Sequence, residues 1–118
     1  ARARARVAGA EAGAQEALAE FDGTVLRSLQ ETETALSAYA NSLRRREALQ
    51  AARNEAEVAA NIIRARQREG QVDSLALLDA ERTFAEAEAV LTDMDGRVVT
   101  AQIDLFRALG GGWDNGNA

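Results

Sequence analysis

Apolar side chains recur along this chain at alternating intervals of three and four residues. Ala14, Leu18, Phe21 and Val25 set the rhythm, and Leu29, Thr32, Leu36, Tyr39 and Leu43 repeat it. Leu49, Ala52, Ala56, Ala59 and Ile63 keep the same helical step.

 Beyond Gly70 the pattern resumes with Leu77, Glu81, Phe84, Glu88 and Leu91, then Met94, Val98, Ala101, Leu105 and Leu109. Strict alternation of three and four is the seam of a coiled coil. The stripe shifts phase between Val25 and Leu29 and again between Leu43 and Leu49, which predicts two stutters that alter the supercoil locally.

Glycine supplies the punctuation, because proline is absent. Neither residue occurs from Thr24 to Glu69 or from Gln71 to Asp95. Arg64, Arg66 and Arg68 crowd the last turn before Gly70, where cations suit the negative end of a helix dipole. Gly70 fits the left-handed residue that follows a helix, and Asp73 or Ser74 can cap the next one. The chain therefore reads as one segment over residues 1–118. Helix 1 covers about 6–68, a tip turn about 69–73, helix 2 about 74–109, and a Gly-rich tail 110–118, frayed from Asp114 onward. At 1.5 Å per residue the helices measure ~95 Å and ~54 Å. So short a connection makes them an all-α antiparallel hairpin, a coiled coil with no β-strand in it. About 40 Å of helix 1 then has no partner in the chain. Leu18, Phe21, Val25 and Leu29 lie there, so another part of a longer protein or another subunit must cover them.

Composition narrows the chemistry. The chain has no Cys, His or Lys, and all 14 of its basic residues are Arg. This removes the side chains that build zinc sites, thiol nucleophiles, disulfides and Schiff bases. No catalytic, cofactor-binding or metal-binding residue is assigned, and an enzyme is not expected. Ala fills 27 of 118 positions, which favours long, closely packed helices over a large core. Residues 1–70 hold 11 Arg and 10 acids, whereas 71–118 hold 3 Arg and 9 acids. The second part is thus an acidic surface, laced by helical pairs such as Arg82–Glu86 and Asp93–Arg97.

Several motifs lead nowhere. Asp93-Met94-Asp95-Gly96 starts like a calcium loop but lacks the later ligands. Gly110 to Gly112 follows a helix and does not open one, so it cradles no phosphate. Gly9 and Gly13 fit close helix packing. Arg44-Arg45-Arg46 reads as a solvated helix face in an acidic chain, with no nucleic-acid partner. The longest uncharged stretch in the middle of the chain, Thr34 to Leu43, is ten residues, and a membrane helix needs about 20. The opening ARARARVAGA has no apolar leader core, and the missing initiator Met suggests an N-terminal truncation.

Two segments carry a family likeness. In the first, Arg66, Gly70, Leu75, Leu78, Asp79, Ala80 and Arg82 match an R-Y-x-x-G…L-x-x-L-D-A-x-R pattern. In the second, Leu105, Ala108, Leu109, Gly110 to Gly112 and Trp113 match a closing phrase L-Y-x-A-L-G-G-G-W. Val25 to Leu36 is also similar to a long-helix phrase of the same proteins. The chain resembles the C-terminal end of TolC-type outer-membrane efflux channels, in particular the lipoprotein branch paired with resistance-nodulation-division pumps. Gln67 and Phe106 depart from the pattern, each standing where Tyr is usual.

The resemblance implies a homotrimer whose strands form an outer-membrane barrel and whose helices form a periplasmic tunnel. This segment would be the second-repeat tunnel helices, on the periplasmic side, with barrel strands, signal peptide and lipid anchor upstream. In such proteins a long helix packs against two shorter ones stacked end to end. The tip residues Arg68, Glu69, Gly70, Gln71, Val72, Asp73 and Ser74 would meet a periplasmic membrane-fusion adaptor, and through it an inner-membrane pump. Asp79, with Arg82 beside it, would stand at the entrance gate, where a ring of carboxylates favours cations and couples opening to docking. The competing reading is a helical-hairpin interaction module such as an adaptor's own coiled coil. The unequal arms and the Gly-rich end favour the channel.

Overall fold

A computed structural model of the chain describes residues 1–114, with side chains up to Gly110. It contains two helices, α1 over Arg2–Arg68 and α2 over Ser74–Asp114. They lie antiparallel as an all-α hairpin of 102 × 22 × 16 Å. The radius of gyration is 28.0 Å, about twice the ~13 Å of a compact chain of this length. No central core exists in such a shape. Each helix buries one stripe against the other.

Both helices extend past the bounds expected from the sequence. α1 begins at Arg2, because the alternating Ala and Arg of residues 1–6 are strong helix formers. α2 continues through Gly110, Gly111 and Gly112 to Asp114 instead of stopping at 109. Each glycine disfavours a helix by about 1 kcal/mol relative to Ala, yet each retains the amide that proline would remove. Residues 115–118, the rest of the expected tail, lie outside the described residues.

The two expected stutters are absent. Beside Ala40, Gln50 and Glu57, which flank it, the half-buried seam of α1 is Ser28, Thr32, Ala35, Tyr39, Ser42, Arg46, Leu49, Arg53, Ala56, Ile63 and Gln67, with Ala60 fully buried among them. These positions alternate by four and three without a break. Leu36 and Leu43, which the apolar count placed in the seam, are 53% and 42% exposed. The expected phase shifts come from Leu29, Leu36 and Leu43, whereas Ser28, Thr32, Ser42, Arg46 and Arg53 stand among the residues of the actual seam. Counted back from Ser28, the same phase runs through Val25, Phe21, Leu18, Ala14, Glu11 and Val7.

On α2 the seam is Leu77, Ala80, Phe84, Ala87, Leu91, Met94, Val98, Ala101, Leu105 and Ala108. Here the expected positions Glu88 and Leu109 give way to Ala87 and Ala108, one residue earlier. The Thr32 hydroxyl donates to the Ala108 carbonyl at 3.5 Å, which fixes the register. Stepping inward from that contact sets Tyr39 opposite Ala101, Leu49 opposite Leu91, Ala56 opposite Phe84 and Ile63 opposite Leu77. In two of these pairs, Tyr39 with Ala101 and Ala56 with Phe84, a large residue faces Ala, which lets the axes approach there. Met94, 5% exposed, and Ala60, 1% exposed, are the buried residues of this seam.

Beyond the end of α2 the seam is bare. Every residue from Ala1 to Arg27 is exposed, including Leu18 at 60% and Phe21 at 64%. The uncovered part of α1 is about 40 Å long, as the helix lengths required.

Candidate functional site at the hairpin tip

The closed end of the hairpin is built by backbone hydrogen bonds around one glycine. The Gly70 amide donates to the Gln67 carbonyl at 3.0 Å, and the Gln71 amide donates to the Arg66 carbonyl at 2.8 Å. This pair of bonds is a Schellman motif, which satisfies carbonyls that the end of a helix leaves open. It needs a left-handed residue, and Gly70 at φ 75 is the only positive-φ residue among those described. The Glu69 amide reaches the Ala65 carbonyl at 3.3 Å. Three residues after Gly70, the Asp73 carboxylate accepts from the Ala76 amide at 2.9 Å. Asp73 is therefore the cap of α2, and Ser74 is its first helical residue.

The seven predicted tip residues come together in this turn. Arg68 closes α1, Glu69 caps it, and Gly70 to Asp73 make the reversal. All are exposed except Val72, which is half-buried. The rim is thus polar, short and held by its own backbone. A side chain added at Gly70 would meet nothing within 4 Å, so the space in front of the turn is open.

Asp79 and Arg82 lie on the outer face of α2, two turns from the tip. The Arg82 guanidinium donates to Asp79 Oδ1 at 2.8 Å and stands 3.9 Å from Glu86. Their side chains are 70% and 66% exposed. The structure therefore brings the two residues predicted for a gate together as a solvated pair, separate from the turn. The pair also changes the electrostatics. A ring of Asp79 carboxylates would carry a ring of Arg82 cations beside it, which weakens its bias toward cations.

Sequence reasoning missed a ladder of charges between the helices. Arg46 pairs with Asp95, Arg53 with Glu88 at 3.1 Å, and Arg64 with Glu81 at 3.1 Å. Every cation comes from α1 and every anion from α2. Arg53 is also paired with Glu57 and stands 5.1 Å from the Phe84 ring centre. The sequence places Arg46 on a solvated face with Arg44 and Arg45. It instead occupies a seam position, half-buried beside Asp95. The signal that would have found it is Arg46 and Arg53 at a seven-residue interval, matched by Glu81, Glu88 and Asp95 at the same interval. The expected pair Asp93–Arg97 is present on the surface at 3.0 Å.

With the hairpin and its tip in hand, comparison with known proteins is direct. The sequence profile for outer membrane efflux proteins matches residues 1–111. The chain belongs to the outer membrane efflux protein family. It is also 39% identical over 117 residues to outer membrane protein OprJ of Pseudomonas aeruginosa. That alignment covers 99% of this chain and 24% of OprJ, so the chain spans about a quarter of the relative's length. No solved structure matches it. The likeness read from the Gly70 and Gly110–Trp113 segments is borne out at the level of the family, and with it the outer-membrane assignment. Among the described residues no helix is long and apolar enough to cross a membrane.

Proposed function

We propose that this hairpin is a wall element of the periplasmic tunnel in a trimeric outer-membrane efflux channel. The observation that carries the reading is the uneven hairpin in a chain of this family. The seam that α2 covers near the tip continues in phase along α1 as an apolar stripe through Val25, Phe21, Leu18 and Ala14, which α2 does not reach. A wall helix needs such continuity, because it must be covered in succession by different neighbours. The remaining length of the channel and its neighbouring subunits supply that cover in this reading.

The tip at Gly70 is the adaptor-docking end. Arg68, Glu69, Gln71 and Asp73 offer charges and amides at an open, backbone-fixed turn, which suits a polar contact with another hairpin tip. The adaptor in turn links the channel to an inner-membrane pump of the resistance-nodulation-division type. Asp79 and Arg82 stand beside the entrance and act as a charge pair that rearranges on opening. Neither group is spent holding the hairpin together, since their side chains are solvated.

The test is Gly70→Trp in the full-length channel, expressed in a strain that lacks its own. The space before Gly70 is open, so a bulky side chain would project from the tip and block docking, and Gly70→Ala, which carries the same left-handed backbone strain without the bulk, is the control for an altered turn. The expected result is a trimer of normal abundance that no longer cross-links to its adaptor, with drug sensitivity restored to that of the channel-less strain. A Gly70→Trp channel that binds adaptor and exports normally would overturn the tip assignment.

A further inference from the structure

We infer that the hairpin has a second register, in which α2 is displaced by one heptad toward the N-terminus of α1, and that the Gly70 turn selects between the two. The inference rests on periodicity within the hairpin and not on the channel reading.

The seam of α2 nearly repeats itself. Leu77, Phe84, Leu91, Val98 and Leu105 are large and lie seven residues apart, and Ala80, Ala87, Ala101 and Ala108 alternate with them. Only Met94 interrupts the small set. The charges share this period. In the observed register Arg53 lies opposite Ala87 and pairs with Glu88. After a shift of one heptad Arg46 would lie opposite Ala87 beside Glu88, and Arg53 opposite Ala80 beside Glu81. Two of the three cross-helix pairs are thereby re-formed with equivalent partners. A repeating seam specifies its register weakly, because each side chain finds a similar neighbour one period on.

The bare part of α1 gives the shift somewhere to go. Its seam continues in phase through Val25 and Phe21, both exposed. In the shifted register Ala108 would lie opposite Val25, and Leu105 opposite Ser28. Cover lost near the tip, where Ile63 faces Leu77, is regained at the other end. The movement is about 10 Å along the axis. Residues 69–73 can span it without unwinding either helix, since five extended residues reach about 17 Å and packed helix axes lie about 8–10 Å apart. The turn would have to open, losing the Gly70 and Gln71 amide bonds to Gln67 and Arg66. The folded turn therefore holds the observed register, and whatever pulls the turn open favours the other.

The chain has no Cys, so thiol pairs can report the register directly. Thr32→Cys with Ala108→Cys reports the observed register, and Thr32→Cys with Ala101→Cys the shifted one. Thr32→Cys with Ile103→Cys is the control, since Ile103 lies on the face of α2 turned away from α1. Under mild oxidation the first pair should cross-link fastest, the second more slowly, and the third least, with helical circular dichroism retained in both seam products. Adding Gly70→Ala, which puts a side chain on a left-handed residue, should raise the ratio of shifted to observed cross-link about fivefold. An Ala101 pair no faster than the Ile103 control would overturn the inference. So would a ratio that Gly70→Ala leaves unchanged, or cross-linked Ala101 chains that have lost their helicity.

Discussion

The covered and bare lengths of α1 differ in the reverse of the way simple burial suggests. Where α2 covers it, the α1 seam is largely small or polar, with Ser28, Thr32, Ala35, Ser42, Arg46, Arg53, Ala56 and Ala60. Where nothing covers it, the seam carries Val7, Leu18, Phe21 and Val25. The covered part works because α2 supplies the bulk, in Leu77, Phe84, Leu91 and Leu105. Side-chain size on one helix is thus set by what the other brings. It follows that a helix covering the bare part should present small residues to Phe21 and Leu18, as α1 presents Ala56 to Phe84.

The strongest way to break this comparison is to truncate one large residue on each side of the boundary. Met94→Ala removes a side chain that is 5% exposed and should cost about 2–3 kcal/mol in the unfolding of this chain. Phe21→Ala removes a larger side chain that is 64% exposed and should fall within about 0.5 kcal/mol of the parent. Thermal melts followed by circular dichroism make the measurement. Equal losses from the two substitutions would mean that the bare seam is already covered, for instance by a second copy.

The tip gives a smaller effect, since it holds two helix ends and little apolar surface. Asp73→Ala deletes the side-chain bond to the Ala76 amide and should cost about 1 kcal/mol. Asp73→Ser should recover most of it, because Ser also caps. A loss that Ser does not recover would point to the charge of Asp73 instead of its hydrogen bond.

How much of this was legible in the sequence depended on which signal carried each feature. The hairpin, the reversal at Gly70 and the uncovered length followed from glycine spacing and from helical rise, neither of which depends on packing. The cap was narrowed to Asp73 or Ser74, and only geometry chose Asp73. The leucines mislead about the seam of α1, because Leu36 and Leu43 face outward while Ser42 and Arg46 face α2. A polar residue at a seam position looks like a break until its partner is known, and those partners lie 49 and 35 residues away for Arg46 and Arg53. The end of α2 was placed at the first glycine by a rule about preference, and preference yields where nothing forbids the helix. Asp79 and Arg82 stand out in the sequence as residue types, but the bond between them that moderates their charge does not.

The smallest effects test whether position or contact decides the worth of an ion pair. Arg53–Glu88 and Arg82–Asp79 have similar separations, 3.1 Å and 2.8 Å. Their surroundings differ, since the Arg53 side chain is 25% exposed and lies over Phe84, whereas that of Arg82 is 70% exposed. Partial burial lowers the local dielectric and fixes the guanidinium, so each strengthens the attraction and reduces the ordering cost. A double-mutant cycle with Arg53→Ala and Glu88→Ala should give a coupling of about 0.5–1 kcal/mol, and Phe84→Leu should reduce it by removing the ring beneath the cation. The same cycle at Arg82 and Asp79 should give about 0.3 kcal/mol, a typical value for an exposed pair within one helix. Raising the salt to 1 M, where the screening length falls to about 3 Å, should erase the Arg82 coupling and leave part of the Arg53 coupling. Equal couplings with equal salt dependence would show that the covered seam gives its charges no shelter. The ladder would then be a surface feature, with no part in holding α1 and α2 in register.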